Sequence, residues 1–152
     1  MGNTYSTYTE TLLLLQKKAL RIICNVPYRA HTNELFFNNN ILKVHDLYNY
    51  QLGQFMYQLE NNSLPVTFKT MFVKNKTIHS YRTRNSEAYH LPLMRTRLAK
   101  LNISFSGPNF WNSLDVTIKD SPSLSYFKTK LKKNYYVHIK LNRFIQQFPH
   151  LD

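Results

Sequence analysis

Residues 45–59 read HDLYNYQLGQFMYQL, and Leu47, Tyr48, Leu52, Phe55, Met56 and Leu59 recur within them at helical spacing. That period marks an α-helix with one apolar face. Gly53 in its interior costs about 1 kcal/mol relative to alanine, so it marks a point of close packing. Asn61-Asn62-Ser63 supplies the stop. Working back toward the start, Thr7-Tyr-Thr-Glu10 has the capping-box spacing, in which a hydroxyl and a carboxylate satisfy each other's free backbone N–H groups. It opens a helix with Leu12, Leu15, Ala19, Ile22 and Ile23 on one face, which should end by about Asn25, ahead of Pro27. The run Leu12–Leu15 is apolar almost all round, so burial on two sides is expected. Lys17, Lys18 and Arg21 lie where the helix dipole favours cations. Thr32 is placed to cap a short helix over Asn33–Phe37, with Asn38-Asn39-Asn40 as its stop.

On the other side, Pro65 suits the first turn of a short helical piece through Met71. Periodicity then fades from Val73 to Arg97, which reads as loop with short extended pieces. Leu101–Phe105 alternates apolar and polar, the pattern of a strand. Gly107-Pro108 reads as a turn before a short helix over Asn109–Leu114, and Ser121-Pro122 as the cap and first turn of a closing helix. That helix carries Leu124, Phe127, Leu131 and Tyr135 on one face. The expected fold is mainly α: a small helical domain with an irregular basic middle segment and at most one or two short strands. Three stretches make it up within one compact domain: an apolar helical part over 1–64, a basic loop-rich part over 65–120, and a basic closing helix over 121–152.

Charge follows these stretches. The 152 residues hold 20 Lys and Arg against 8 Asp and Glu, a formal +12. Residues 1–64 have five basic and four acidic groups, and residues 101–123 have Lys119 against Asp115 and Asp120. Residues 65–100 have eight basic groups against Glu87 alone, a net of +7, and residues 124–152 have six against one, a net of +5. Cations interleaved with aromatic rings suit a polyanion, because the cations neutralise phosphates while the rings stack on bases. With 43% hydrophobic residues and 21 Tyr and Phe, the chain is no disordered basic tail. Its longest apolar run, Leu12–Leu15, is far short of the ~20 residues of a membrane span, so no membrane partner is expected.

The residue inventory argues against chemistry within this chain. No two of the acids are adjacent, and Asp115 and Asp120 suit capping or solvated roles better than metal binding. Gly2, Gly53 and Gly107 cannot build a phosphate-cradling loop. No histidine falls in a zinc frame, and Cys24, the sole cysteine, reads as an inert thiol at a helix end. No catalytic residue, metal ligand or cofactor is therefore expected. Met1-Gly2-x-x-x-Ser6 has the spacing of an acylation signal, a short motif of low specificity.

Five blocks in order carry a resemblance. They are Leu15-Gln16-Lys17-Lys18-Ala19-Leu20-Arg21-Ile22-Ile23 with Pro27-Tyr28-Arg29-Ala30-His31-Thr32; Asn40-Ile41-Leu42-Lys43-Val44 with Asp46-Leu47-Tyr48; His79-Ser80-Tyr81-Arg82-Thr83-Arg84; Gly107-Pro108 with Trp111-Asn112-x-Leu114; and Ser123-Leu124-x-x-Phe127-Lys128-x-x-Leu131. Together they resemble the region that follows the polymerase core in LINE-type (non-LTR, jockey-like) retrotransposon reverse transcriptases, over about residues 2–135. Asp115 stands where that family has proline. The metal-binding aspartates of the reverse transcriptase palm have no counterpart.

The resemblance implies a non-catalytic C-terminal fragment of an RNA-directed DNA polymerase, the intact parent being the enzyme. Its partners would be RNA or DNA, with a reverse transcriptase core as a further one, in the nucleus or cytoplasm rather than outside the cell. Phosphate contacts are expected at Lys74, Lys76, Arg82, Arg84, Arg95 and Arg97. Lys128, Lys130, Lys132 and Lys133 form a second patch. Tyr81 fits both stacking and core roles, whereas Trp111, beside Phe110 and Leu114, reads as core. The alternatives are a structural scaffold packed against the polymerase thumb and a host-recruited basic interaction protein.

Overall fold

The computed structural model describes residues 6–78, 81 and 84–147, with the side chains of 6, 7 and 138–147 outside that description. Among the described residues eight α-helices follow one another: α1 Ser6–Ile23, α2 Asn33–Asn38, α3 Val44–Glu60, α4 Val66–Lys69, α5 Asn75–Ile78, α6 Ile103–Ser113, α7 Val116–Lys119 and α8 Leu124–Gln147. A 3-10 turn, Ala99–Leu101, precedes α6. The described residues hold no strand, only one isolated antiparallel bridge between Lys74 and Tyr89. The mainly helical architecture is the one the sequence pattern predicts. No helix among the described residues is long and apolar enough to cross a membrane. The chain divides into two compact units, Met1–Tyr50 with Thr129–Asp152, and Gln51–Lys128.

In the first unit, Leu13 and Leu20 of α1 bury against Phe36 of α2, with Ile41 and Val44 packed beside them. Leu42 and Tyr136 form a second buried group with Tyr50 and Tyr135 around it. The Tyr136 ring meets Phe37 edge-on at 5.5 Å and its hydroxyl donates to Asn40 Oδ1 at 3.1 Å. The Gln16 side chain ties the α2–α3 connection to α1, donating to the Leu42 carbonyl at 2.9 Å and accepting from the Val44 N–H at 3.1 Å.

The helix stops read from sequence hold, and by one device. Asn25, Asn40 and Asn62 all have positive φ, at 49°, 54° and 57°. Each is followed by a residue whose N–H reaches five positions back: Val26 to Arg21, Ile41 to Phe36, and Ser63 to Gln58. This is the Schellman closure, and asparagine fills it because its short polar side chain tolerates the left-handed region.

Several local expectations fail. Thr32 occupies the cap position of α2 without a side-chain cap bond. Ser6 and Thr7 already lie within α1, so the helix begins ahead of the expected cap position, and the Thr7 side chain lies outside the description. Met1 and Gly2 of the acylation spacing lie outside the described residues. The apolar face expected to be buried is exposed: Leu12, Leu15, Ile22 and Ile23 stand 52–73% open, while Thr9, Leu13 and Leu20 are buried. Period alone could not choose, because the Leu-rich half of α1 offers an apolar row in more than one direction. Leu47 of α3 is exposed as well.

In the second unit, Leu101–Phe105 is not a strand. Asn102 caps α6, its side chain accepting from the Ser104 N–H at 3.0 Å, and two-residue alternation over so short a run cannot outweigh a cap. Gly107 and Pro108 are likewise no turn but sit buried inside α6. A Cβ at Gly107 would lie 3.0 Å from Met56 Sδ and 3.5 Å from Phe72, so the glycine permits close approach. Burial of the Pro108 ring offsets part of the helix bond it removes. Ser123 rather than Ser121 caps α8, accepting from the Tyr126 N–H at 3.3 Å. Ser121 is spent otherwise: its hydroxyl donates to the Ile118 carbonyl, and its carbonyl accepts from Tyr57 at 2.6 Å.

Candidate nucleic-acid interface

The basic middle of the chain is held as a loop with a pinned base. Around the Lys74–Tyr89 bridge, Asn75 N–H donates to Ala88, Lys76 N–H to Ser86, and His90 N–H to Val73, at 2.8–3.0 Å. These bonds bring the segments 73–76 and 86–90 together, and Tyr81 and Arg84 fall between them in sequence. Asn112 of α6 fastens the returning arm. Its side chain accepts from the Tyr89 N–H at 3.0 Å and donates to the Tyr89 carbonyl at 2.8 Å, replacing a neighbouring strand. The Tyr89 ring beneath is 5% exposed and meets Phe72 edge-on at 6.3 Å.

Trp111 is core, 6% exposed, with the Phe127 ring at 6.0 Å. Phe127 in turn stacks on Tyr57 at 4.6 Å. Leu114 is buried too. Asp115, which departs from the resembled pattern, caps α7 by accepting from the Thr117 N–H at 2.7 Å. The block Trp111-Asn112-x-Leu114 is thus a packing and pinning element.

Beside it lies an open cleft of about 440 Å³. Glu60, Glu87 and Asp120 line it together with Lys74, Arg84 and Lys119, three charges of each sign, so it is not built to attract an anion on charge alone. Lys74 Nζ is 2.8 Å from Glu60 and 5.5 Å from the Tyr89 ring centre. Burial, with Glu60 close by, lifts the Tyr89 phenol well above the ordinary tyrosine range. Lys119 lies over the Trp111 ring at 5.9 Å, and burial lowers its ammonium pKa against the opposing pull of Asp115, Glu60 and Asp120.

The expected contact residues divide accordingly. Lys74 and Lys76 are both ion-paired, Lys76 with Glu87 at 3.0 Å, so part of their charge is spent within the protein. Arg84, Arg95 and Arg97 are exposed, and Tyr81 is 67% exposed, which removes the core reading for that ring. Arg82 lies outside the described residues. Arg84 and Arg95 pair with no carboxylate among the described residues. Lys100, which sequence reasoning left out, is exposed in the same way, its ammonium 6.0 Å from the Phe105 ring centre. The lysines of α8 do not form one face. Lys128 and Lys132 share one arc of the helix, and Lys130 and Lys133 another.

Sequence reasoning also missed Glu60 and Asn112. Glu60 acts through a partner fourteen positions away, and Asn112, though quoted within the Trp111-Asn112-x-Leu114 block, acts on Tyr89, 23 positions away, a role its local pattern does not give. No group of three or more His, Cys, Asp or Glu among the described residues could hold a metal ion. Comparison with protein-family models, with curated proteins and with solved structures finds no match.

Proposed function

We propose that this chain binds single-stranded RNA or DNA through the phosphate backbone, without catalysis of its own, as the C-terminal part of a retrotransposon RNA-directed DNA polymerase. One observation carries the binding. The only acid of residues 65–100, Glu87, and the neighbouring Glu60 are both paired with lysines, while Arg84, Arg95 and Lys100 are exposed and form no salt bridge among the described residues. Exposed cations before and within the turn that precedes α6, with Arg84 and an exposed Tyr81 between the pinned segments, fit a flexible strand that offers phosphates and stacking faces. The polymerase context rests on the ordered sequence blocks, and implies a setting in the nucleus or cytoplasm beside a reverse transcriptase core.

The test is fluorescence anisotropy with labelled single-stranded RNA and DNA 20-mers across a salt series. Three to four phosphate contacts predict a log–log slope of roughly −2 to −3, at about −0.7 per contact. Arg84→Ala and Arg95→Ala should each reduce that slope by about 0.7, whereas Lys74→Ala, whose charge is already engaged, should change it less. Absence of binding at about 50 mM salt, or an affinity indifferent to salt, refutes the assignment.

A further inference from the structure

On α1, the residues Tyr8, Leu12, Leu15, Ala19 and Ile22 follow one another at steps of four, three, four and three, and every one of them is exposed. That spacing is the seam of a two-helix coiled coil, with each residue positioned to enter a gap on a facing helix. Ile23 borders the same arc. The buried residues Thr9, Leu13 and Leu20 occupy a different side of α1, so the seam is a second apolar face that the first unit leaves open.

We propose that this seam is covered by α1 of a second copy of the chain, running antiparallel about a two-fold axis. The order of side-chain sizes favours a copy of itself. In an antiparallel pair that sets Leu12 opposite Leu15 of the other copy, the large Tyr8 falls opposite the small Ala19, and the two-fold repeats both matches. The sequence large, Leu, Leu, small therefore complements its own reverse, as a closed isologous interface requires. Leu12, the least open of the large side chains, is 52% exposed and Ile23, the most, 73%. At on the order of 100 Å² per large side chain, the four large residues of the seam offer roughly 400 Å² per copy before bordering residues such as Ile23 are counted, against about 800 Å² per partner in a standard specific interface. Lys18 is the only charged residue flanking the seam closely. The repulsion to overcome is then the long-range kind between two chains of +12 each, which salt screens.

The experiment is sedimentation velocity of the whole chain at about 50 μM, in roughly 0.15 and 0.5 M salt, where screening of the like charges grows. A dimer that tightens with salt is expected, the opposite sign to the nucleic-acid slope. Leu15→Glu should weaken it at least about tenfold with the far-UV circular dichroism unchanged. Ala19→Tyr alone should break the pair, and the double variant Tyr8→Ala with Ala19→Tyr should restore it. A monomer throughout, a dimer indifferent to Leu15→Glu, or failure of the double variant to restore association each overturns the proposal. So does a chain that stays monomeric but is held through Leu15 by a co-expressed reverse transcriptase core, which would give the seam to that partner.

Discussion

Replacing Asn112 by alanine tests the pinning of the basic loop directly. The substitution removes two hydrogen bonds, of 3.0 and 2.8 Å, and leaves the N–H and carbonyl of Tyr89 facing a methyl group. Each bond contributes about 1 kcal/mol net, and an orphaned, largely buried backbone group adds a penalty of its own, so the expected cost is about 2–3 kcal/mol. Trp111, the one tryptophan, is the adjoining residue in the core and reports the unfolding of this unit by its fluorescence. In urea the midpoint should fall by roughly 1 M or more at an unchanged slope. Asn112→Asp separates the two bonds. Its carboxylate can still accept from the Tyr89 N–H but faces the Tyr89 carbonyl without a proton to donate. That variant should be at least as destabilised at neutral pH and recover part of the loss as the pH falls and the carboxyl gains a proton. A midpoint for Asn112→Ala within about 0.2 M of the parent chain would refute the clamp.

Gly107→Ala sets a methyl group 3.0 Å from Met56 Sδ, in a place where Met56 is fully buried. The overpacking should outweigh the helix preference of alanine and cost about 1 kcal/mol net, read in the same urea series. Asn62→Gly should leave stability equal or slightly higher, because glycine accepts the φ of 57° freely, while Asn62→Val should cost about 1–2 kcal/mol. Burial raises the phenol pKa of Tyr89 and Tyr135 in the fold above the unfolded value. The folded state therefore holds these protons more tightly, and the stability they contribute is complete below about pH 10 and declines as pH rises beyond it. Phenolate absorbance should show both rings ionising later than the exposed tyrosines, and Tyr135→Phe should flatten the alkaline decline. Simultaneous titration of all eleven would contradict their burial.

The helices were legible because their ends are written in short-range chemistry. Asn25, Asn40 and Asn62 stop three helices through bonds within six residues of themselves. The side on which each helix is buried was less so. In α1 the Leu-rich stretch satisfies helical period in two directions, and only Phe36, Ile41 and Val44 decide between them. Gly107-Pro108 misled for a related reason. The pair signals a turn locally, but Asn102 had already begun the helix and Met56, distant in sequence, gains from the missing side chain. At the candidate interface, the run of cations was visible and its partial neutralisation was not, since Glu60 reaches Lys74 from the end of another helix.

Helix α8 contributes to both cores, with Phe127 at the centre of the aromatic stack in one and Tyr136 bonded across 96 residues to Asn40 in the other. During synthesis at about 5–20 residues per second, the first unit therefore waits roughly 5–20 s between the emergence of Asn40 and that of its partner. Throughout that interval Leu42 and Phe37 lack the ring that covers them. Contacts so distant in sequence slow closure further. A nascent chain of this design stays open on the ribosome until α8 arrives, and premature termination before Phe127 would remove the rings that complete both cores.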